Sequence, residues 1–168
     1  MDKLNFLTAG MPLRTDKKIG YEDALKVLND MDLDGIELEF VQGVRISDKS
    51  KDVVKNASDK YIFTAHGPFF INLNAREEEK ITASIERIID TATVAQQVGA
   101  FSITYHAAFY LGNDKDIVFF IIRVRNILLV LFVILCHHNL AYETGSIGHV
   151  HIVFRKGSFL GYGNLLLS

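Results

Sequence analysis

Residues 61–66 read Tyr-Ile-Phe-Thr-Ala-His and residues 101–106 read Phe-Ser-Ile-Thr-Tyr-His, two apolar segments that each end in a histidine. A third apolar segment, residues 139–143, reads Asn-Leu-Ala-Tyr-Glu and ends in a glutamate. The intervals between these terminal residues, 40 and then 37 positions, match one strand-helix-strand unit each. Helical crossovers place the C-terminal ends of parallel strands on one edge, so His66, His106 and Glu143 are expected to meet there. Two imidazoles and a carboxylate are a common ligand set for zinc or a similar ion.

The first two thirds of the chain alternate between strand-like and helix-like segments. Further strands are predicted at Leu4–Thr8 and Ile36–Phe40, and helices at Tyr21–Met31, Asp48–Lys60 and from Glu77 to Gly99. Repeated strand-helix units predict an α/β fold with a parallel sheet and outer helices. That sheet is either a (β/α) barrel or an open doubly wound sheet.

Length and composition suit one domain over residues 1–168, since half of the residues are hydrophobic. A single cysteine, Cys136, excludes an internal disulfide and is typical of a reducing compartment. The N-terminal residues show neither the basic nor the apolar region of a secretory signal. We therefore expect a cytoplasmic protein.

The balance of acidic and basic residues changes near residue 117. Residues 1–116 carry 14 cationic and 19 acidic side chains, whereas the remainder carries 4 and 1. The formal net charge of −2 provides no global attraction to nucleic acid, so a nucleic-acid enzyme would need local basic residues and metal ions. Residues 117–168 form an atypical apolar C-terminal region.

The segment 117–136 stands where a fourth crossover helix belongs, but it reads IVFFIIRVRNILLVLFVILC. Three interpretations are open: a membrane span, a buried or interface-covered helix, and a local frameshift. Arg123 and Arg125 lie within the segment and make a membrane span costly, by about 2.5–3.5 kcal/mol each. A buried or covered helix is favoured.

The tail after Glu143 contains His149-Val-His151, which is open to two interpretations. The pair could bind a metal ion. An ordinary strand also places both side chains on one face by alternation alone, and this second interpretation is favoured. Glu143 itself, the lone acid after residue 116, ends an apolar strand, so a metal ligand is favoured over a solvated loop residue.

Aromatic pairs follow both strand-end histidines. Phe69 and Phe70 come after His66-Gly67-Pro68, and Phe109 and Tyr110 come three and four residues after His106. Loop aromatics beside a metal suit stacking on a base or wedging into a duplex. A small hydrophobic cluster under the loops is an equally good explanation from sequence.

Three motifs of this chain closely resemble those of endonuclease IV, the zinc-dependent apurinic/apyrimidinic endonuclease family of base-excision repair, within the xylose-isomerase-like TIM barrel superfamily. The matching motifs are Gly35-Ile-Glu-Leu-Glu-Phe40, His66-Gly-Pro-Phe-Phe-Ile-Asn-Leu-Asn74 and His106-Ala-Ala-Phe-Tyr-Leu-Gly112. The resemblance covers residues 4 to 116 and returns at Leu140–Gly145. It implies a (β/α) TIM-barrel type fold, here partial with about five strands.

The resemblance also implies a function. A hydrolase of this family cleaves the phosphodiester 5′ to an abasic site in double-stranded DNA and holds up to three zinc ions, of which only the first site is complete here. Its metal ligands would be His66, His106 and Glu143, and Glu143 would also be catalytic by bridging to a second metal. The residues implied to bind DNA are Phe69, Asn72, Phe109 and Tyr110.

The chain departs from the family after residue 116. The family's remaining ligands are mainly aspartates and histidines, but no aspartate follows Asp116. We therefore expect a truncated or frameshifted member whose open sheet edges can self-associate, with no obligate protein partner evident. Two other functions stay open: a sugar isomerase or epimerase of the same barrel superfamily, and a non-catalytic fragment that aggregates or associates with membranes.

Overall fold

The computed structural model describes residues 4–12, 19–136, 140–144 and 149–154; for residues 128, 130–136, 140–144 and 149–154 it describes the backbone. Strands and helices alternate in the order expected from the sequence. Their bounds are β1 Leu7–Ala9, α1 Tyr21–Asp30, β2 Gly35–Glu39, α2 Asp48–Ala57, β3 Ile62–His66, α3 Glu78–Gln97, β4 Ser102–His106, α4 Lys115–Cys136, β5 Leu140–Thr144 and β6 His149–Phe154.

The described strands form one sheet in the order β1-β2-β3-β4-β6-β5. Strands β1 to β4 are parallel neighbours, and Glu39, His66 and Thr104 lie level with one another across β2, β3 and β4. Strand β6 runs antiparallel to both β4 and β5, so β5 runs in the same direction as β4 but one strand further away. The parallel part of the sheet and its helices confirm the predicted partial (β/α) barrel architecture.

Strand β6 is a sixth strand where the resemblance predicted about five. Only residues 145–148 separate β5 from β6. A parallel connection needs a crossover of a dozen or more residues, so a four-residue link forces an antiparallel hairpin. The segment containing His149 and His151 is therefore a strand, as favoured from the sequence.

The four parallel strands have one apolar and one polar face. Alternate residues such as Ile36, Leu38, Phe63, Ala65 and Ile103 are fully buried and form the core with the inward sides of the helices. The other face carries Glu37 and Thr64, which are half-buried, and the strand ends at His66 and His106. In a barrel this second face lines the interior, which places the polar side chains around the mouth.

The helices form where the sequence places apolar stripes at helical spacing. Leu28 of α1, Val54 of α2 and Ile88 of α3 are completely buried against the sheet. Helix α2 begins at a side-chain cap, because the Ser47 hydroxyl accepts a hydrogen bond from the Ser50 amide. These crossovers fix which end of each strand points to the mouth.

Gly35 of β2 lies directly against the backbone of Ile62 on β3. A Cβ atom added there would lie 1.7 Å from the Ile62 carbonyl oxygen. The same strand junction is held by the Ile62 amide, which donates to the Asp34 carbonyl at 2.8 Å. Only glycine fits this position, and the register that sets Glu39 level with His66 depends on it.

Helix α4 covers the core with one side and exposes the other. Asp114 begins it by accepting hydrogen bonds from the amides of Asp116 and Ile117. Asn126 is buried within the apolar segment, and its Oδ1 accepts a hydrogen bond from the Tyr105 hydroxyl at 2.8 Å. Among the apolar residues of α4 whose side chains are described, Phe120 is the most accessible, at 66%. In the part of the chain whose side chains are described, no helix is long and apolar enough to cross a membrane.

Candidate metal centre

His66 and His106 are brought together at the C-terminal ends of β3 and β4. Their imidazole ring centroids lie 5.2 Å apart and the ring planes are inclined at 56°. Both side chains are half-buried, so they are reachable from the mouth. The expected convergence of the two strand-end histidines is therefore observed, while their role as ligands stays a prediction.

The orientation of His66 is set by its own loop. Its Nδ1 lies 2.9 Å from the Gly67 carbonyl oxygen, which makes Nδ1–H the donor and leaves Nε2 as the basic nitrogen of the ring. A histidine that binds metal through one nitrogen typically donates its other N–H to a carbonyl or carboxylate. The hydrogen bond is the one that the predicted role of His66 as a metal ligand requires.

The ring separation fits a shared ion. With a Zn–N bond of about 2.0–2.1 Å and a tetrahedral angle, two imidazoles on one zinc have centroids roughly 5 Å apart. The observed 5.2 Å agrees with this value. The donor set also suits zinc, because neutral imidazole nitrogen is one of its ordinary ligands.

Glu143 lies on β5, and the structure describes its backbone position. It is level with His151 on β6, which in turn is level with Thr104 on β4. Among the residues whose side chains are described, no group of three metal-binding side chains is assembled. The metal and catalytic roles expected of Glu143 stay predictions.

The loops after β3 and β4 present aromatic side chains to solvent. Phe69 is 54% exposed and Phe109 is 55% exposed, and their neighbours Phe70 and Tyr110 are exposed as well. We call these four residues the aromatic rim. Their exposure speaks against a hydrophobic cluster buried under the loops, while the role of these residues in stacking on bases stays a prediction.

Two asparagines join the loops that carry the aromatic rim. The Asn72 Oδ1 accepts hydrogen bonds from the amides of Asn74 and Phe109, at 3.1 and 3.2 Å. The Asn74 Nδ2 donates to the Phe109 carbonyl at 2.9 Å and to the Tyr110 carbonyl at 3.4 Å. Asn72, expected to bind DNA, thus has an observed part in holding the two loops together.

Asn74 and two arginines were not singled out from the sequence. Arg87 of α3 donates to the Phe70 carbonyl at 3.2 Å, and Arg76 reaches the Leu111 carbonyl at 3.5 Å. Each guanidinium therefore lies beside a loop of the aromatic rim. The Asn-Leu-Asn spacing in a loop could have indicated Asn74, because asparagine side chains often bond backbone two residues on. No sequence signal links Arg87 to Phe70.

Replacing Asn74 by alanine should loosen the loop after β4, which carries Phe109 and Tyr110. The Phe109 carbonyl would lose its amide donor, so we expect the free energy of unfolding to fall by about 1–3 kcal/mol. Hydrogen-deuterium exchange of residues 107–112 should accelerate, since this variant removes the two hydrogen bonds from the Asn74 side chain to this loop and leaves the bond from the Phe109 amide to Asn72. The control is Asn29→Ala, where the side chain of an exposed asparagine accepts a hydrogen bond from Lys60. Unchanged exchange in residues 107–112 would show that Asn74 does not hold this loop.

Comparison with known proteins agrees with the partial barrel. A model of the family described as the xylose isomerase-like TIM barrel matches residues 25–131, more than half of the chain. The chain belongs to this family. The part of this chain that the family model matches contains both strand-end histidines and the aromatic rim.

Two individual proteins show how much of the barrel is present. An uncharacterized protein of Methanocaldococcus jannaschii is 40% identical over 116 residues, which cover 69% of this chain and 41% of that protein. The crystal structure of endonuclease IV from Thermus thermophilus superposes with a TM-score of 0.50 at 12% identity, covering 76% of this chain and 46% of that one. This chain thus spans less than half the length of either protein. At 12% identity, the likeness to endonuclease IV shows the fold alone.

Proposed function

We propose that this chain derives from a zinc-dependent endonuclease that cleaves double-stranded DNA 5′ to abasic sites, and that it retains the first metal site and the lesion-reading loops. The observation that carries the proposal is the imidazole pair of His66 and His106, 5.2 Å apart, beside an exposed aromatic rim. A metal-binding pair and solvent-exposed aromatic rings at one mouth match the needs of phosphodiester cleavage at a damaged base pair.

Each group of residues has a distinct task in this proposal. His66 and His106 bind the zinc ion, with His66 oriented by the Gly67 carbonyl. When bound, zinc supplies a Lewis acid that stabilises negative charge developing on the phosphate. Phe69 follows Pro68 at the mouth and enters the gap left by the missing base, where its ring replaces the lost stacking.

Local positive charge offsets the overall negative charge of the protein. Arg76 and Arg87 both bond carbonyl groups of the aromatic loops, so their guanidinium groups lie next to the surface proposed to receive DNA. Guanidinium groups bind phosphate oxygens well, and such contacts position a duplex without reading its sequence. These arginines provide the local basic residues that a protein of net charge −2 needs.

The test is a plasmid containing abasic sites. We expect the zinc-loaded chain to nick it in a chelator-sensitive manner and to leave the intact plasmid uncut. Phe69→Ala should retain zinc but bind abasic duplex roughly 10- to 100-fold more weakly, because stacking of one base on an aromatic ring contributes about 1–3 kcal/mol. The matched control is Phe101→Ala, since Phe101 is equally exposed, at 56%, but precedes β4 at the opposite end of the strand.

Two results would count against this function. Equal losses for the Phe69 and Phe101 variants would show that the aromatic rim has no special role. Binding of abasic and intact duplexes with the same affinity by the zinc-loaded chain would remove the proposed lesion specificity.

A sugar isomerase or epimerase is a second candidate, favoured by one observation at the same mouth. Glu39 is level with His66, and its carboxylate lies over Gly10, so that a Cβ at Gly10 would be 2.9 Å from Oε2. A carboxylate there would repel DNA phosphates but could accept hydrogen bonds from a polyol. Metal-dependent interconversion of an aldose and a ketose, with no nicking of abasic plasmid, would favour this candidate.

A further inference from the structure

The outward side of α4 is apolar, although a helix on the outside of a globular protein normally turns polar residues to solvent. Val118, Asn126 and Leu129 are buried and mark the inward side of the helix. Arg125 also lies on that side, because it donates a hydrogen bond to the Leu73 carbonyl. The exposed apolar residues of α4, which we call the α4 face, are Ile117, Phe119, Phe120, Val124 and Ile127.

Four members of the α4 face have the spacing of a helix–helix seam. Ile117, Phe120, Val124 and Ile127 follow one another at intervals of three, four and three positions. Side chains at these intervals lie in one stripe along a helix. Apolar residues in this heptad pattern are what one helix presents to another when their side chains interlock. The α4 face is therefore suited to receiving a second helix.

The charges around the α4 face indicate what kind of partner fits it. Between residues 117 and 136 the charged side chains are Arg123 and Arg125, of which Arg125 is turned inward. Arg123 is half-buried beside the stripe, so a charged partner surface would find at most one charge to pair with. An anionic membrane fits no better, because the chain has a net charge of −2. A partner with an equally apolar helix fits, and α4 of a second copy is such a helix.

The α4 face is large enough for a stable contact between two copies. Its five side chains are exposed by 39% to 66%. At about 200 Å² for a large apolar side chain, they present roughly 500 Å² of apolar surface. A two-fold contact uses the same face on both copies, which makes roughly 1,000 Å² in total and reaches the lower limit for specific interfaces. The helix continues to Cys136 without another charged residue, so the sequence lets the seam extend.

We infer that the α4 face is a homodimer interface, on which α4 of a second copy of this chain packs about a two-fold axis. Packing of this kind removes from water an apolar area that a monomer would leave exposed. The contact is helix to helix, and so it differs from the self-association through open sheet edges that the sequence suggested. It uses no residue of the proposed zinc site, so the inference goes beyond the proposed function and does not rest on it.

The test is sedimentation equilibrium of the full chain from about 1 to 200 µM, since an interface of this size is expected to dissociate in the micromolar range. We expect the mass to rise from the 18.9 kDa of one chain to twice that value. In Phe120→Glu the dissociation constant of the dimer should increase at least about a hundredfold, because the seam would bury a carboxylate from each copy. Val124→Glu, one turn further along, should act in the same way.

The matched control is Met31→Glu. It introduces the same charge at an apolar residue that is 48% exposed, but at the end of α1. We expect its dissociation constant to stay within a few-fold of that of the unmodified chain. Circular dichroism of each variant confirms that it is folded.

Three results would overturn the inference. The first is the mass of a single chain over the whole concentration range in the unmodified protein, a measurement that depends on no variant. The second is undiminished association of folded Phe120→Glu and Val124→Glu, which would assign self-association to another surface, such as the sheet edges. The third is a monomeric chain that floats with vesicles of phosphatidylcholine and phosphatidylserine, which would assign the α4 face to a membrane surface. A dimer that binds no zinc would support this inference and remove the proposed function.

Discussion

Zinc binding should be lost when His66 is replaced by alanine. The imidazole is oriented by the Gly67 carbonyl, and its ring centroid lies 5.2 Å from that of His106, as two ligands of one zinc ion require. Changes outside the ligand set already reduce metal affinity about 10- to 100-fold, and removal of a ligand should exceed a hundredfold. Titration of the metal-free chain with zinc, followed by calorimetry or a competing chelator, measures this loss.

The control for this variant is Thr64→Ala. Thr64 precedes His66 by two residues on β3 and is likewise half-buried, but a hydroxyl is a poor zinc ligand compared with imidazole. We expect its zinc affinity to stay within a few-fold of the unmodified chain. If the His66 variant bound zinc as tightly as the control, the strand-end pair would not be a metal site. Cleavage of abasic plasmid should be lost together with zinc.

Gly35→Ala should prevent the chain from folding stably. The added methyl carbon would lie 1.7 Å from the Ile62 carbonyl oxygen and 2.7 Å from the carbonyl carbon, and both are backbone atoms. Relief requires β2 to separate from β3, which breaks the ladder running from Gly35–Ile62 to Glu39–His66. The expected loss exceeds about 4 kcal/mol, a large part of the usual 5–15 kcal/mol stability of a domain. Denaturant unfolding followed by circular dichroism measures it.

Gly20→Ala is the matched control for this glycine. No atom lies within 4 Å of a Cβ added at Gly20, and its φ of −84° is ordinary for alanine. The expected change is a loss of less than about 1 kcal/mol, because glycine is a better helix N-cap than alanine. A Gly35 variant as stable as the Gly20 variant would mean that β2 and β3 do not approach as closely as described.

Much of the site follows from local sequence patterns. Apolar segments that end in histidine predicted β3 and β4, and their spacing predicted parallel neighbours with both histidines at one edge. Both strands end at the expected residue, His66 and His106. This success has a simple cause, since a right-handed crossover of this length leaves few places for the next strand.

Other parts of the site depend on contacts that no local pattern encodes. Arg87 meets Phe70 because α3 packs across β3, which brings residues 17 positions apart into hydrogen-bonding distance. Asn74 meets Phe109 because the loops of neighbouring strands are adjacent at the mouth. The carboxamide of Asn72 joins these loops in the same way, and the DNA-binding role expected of Asn72 stays a prediction.

The amino-acid sequence alone determined the alternation of strands and helices, the direction of the parallel strands and the histidines at the ends of β3 and β4, while β1 and β2 end one residue from the predicted Thr8 and Phe40. These features depend on periodicity and on crossover length, and both are local properties. The tertiary structure decided which strand occupies the open edge of β4. The backbone groups at the edge of β4 can form hydrogen bonds with either β5 or β6. Because the link between these two strands is short, β6 folds back antiparallel to β5 and pairs with β4. That choice places His149, rather than Glu143, beside His106.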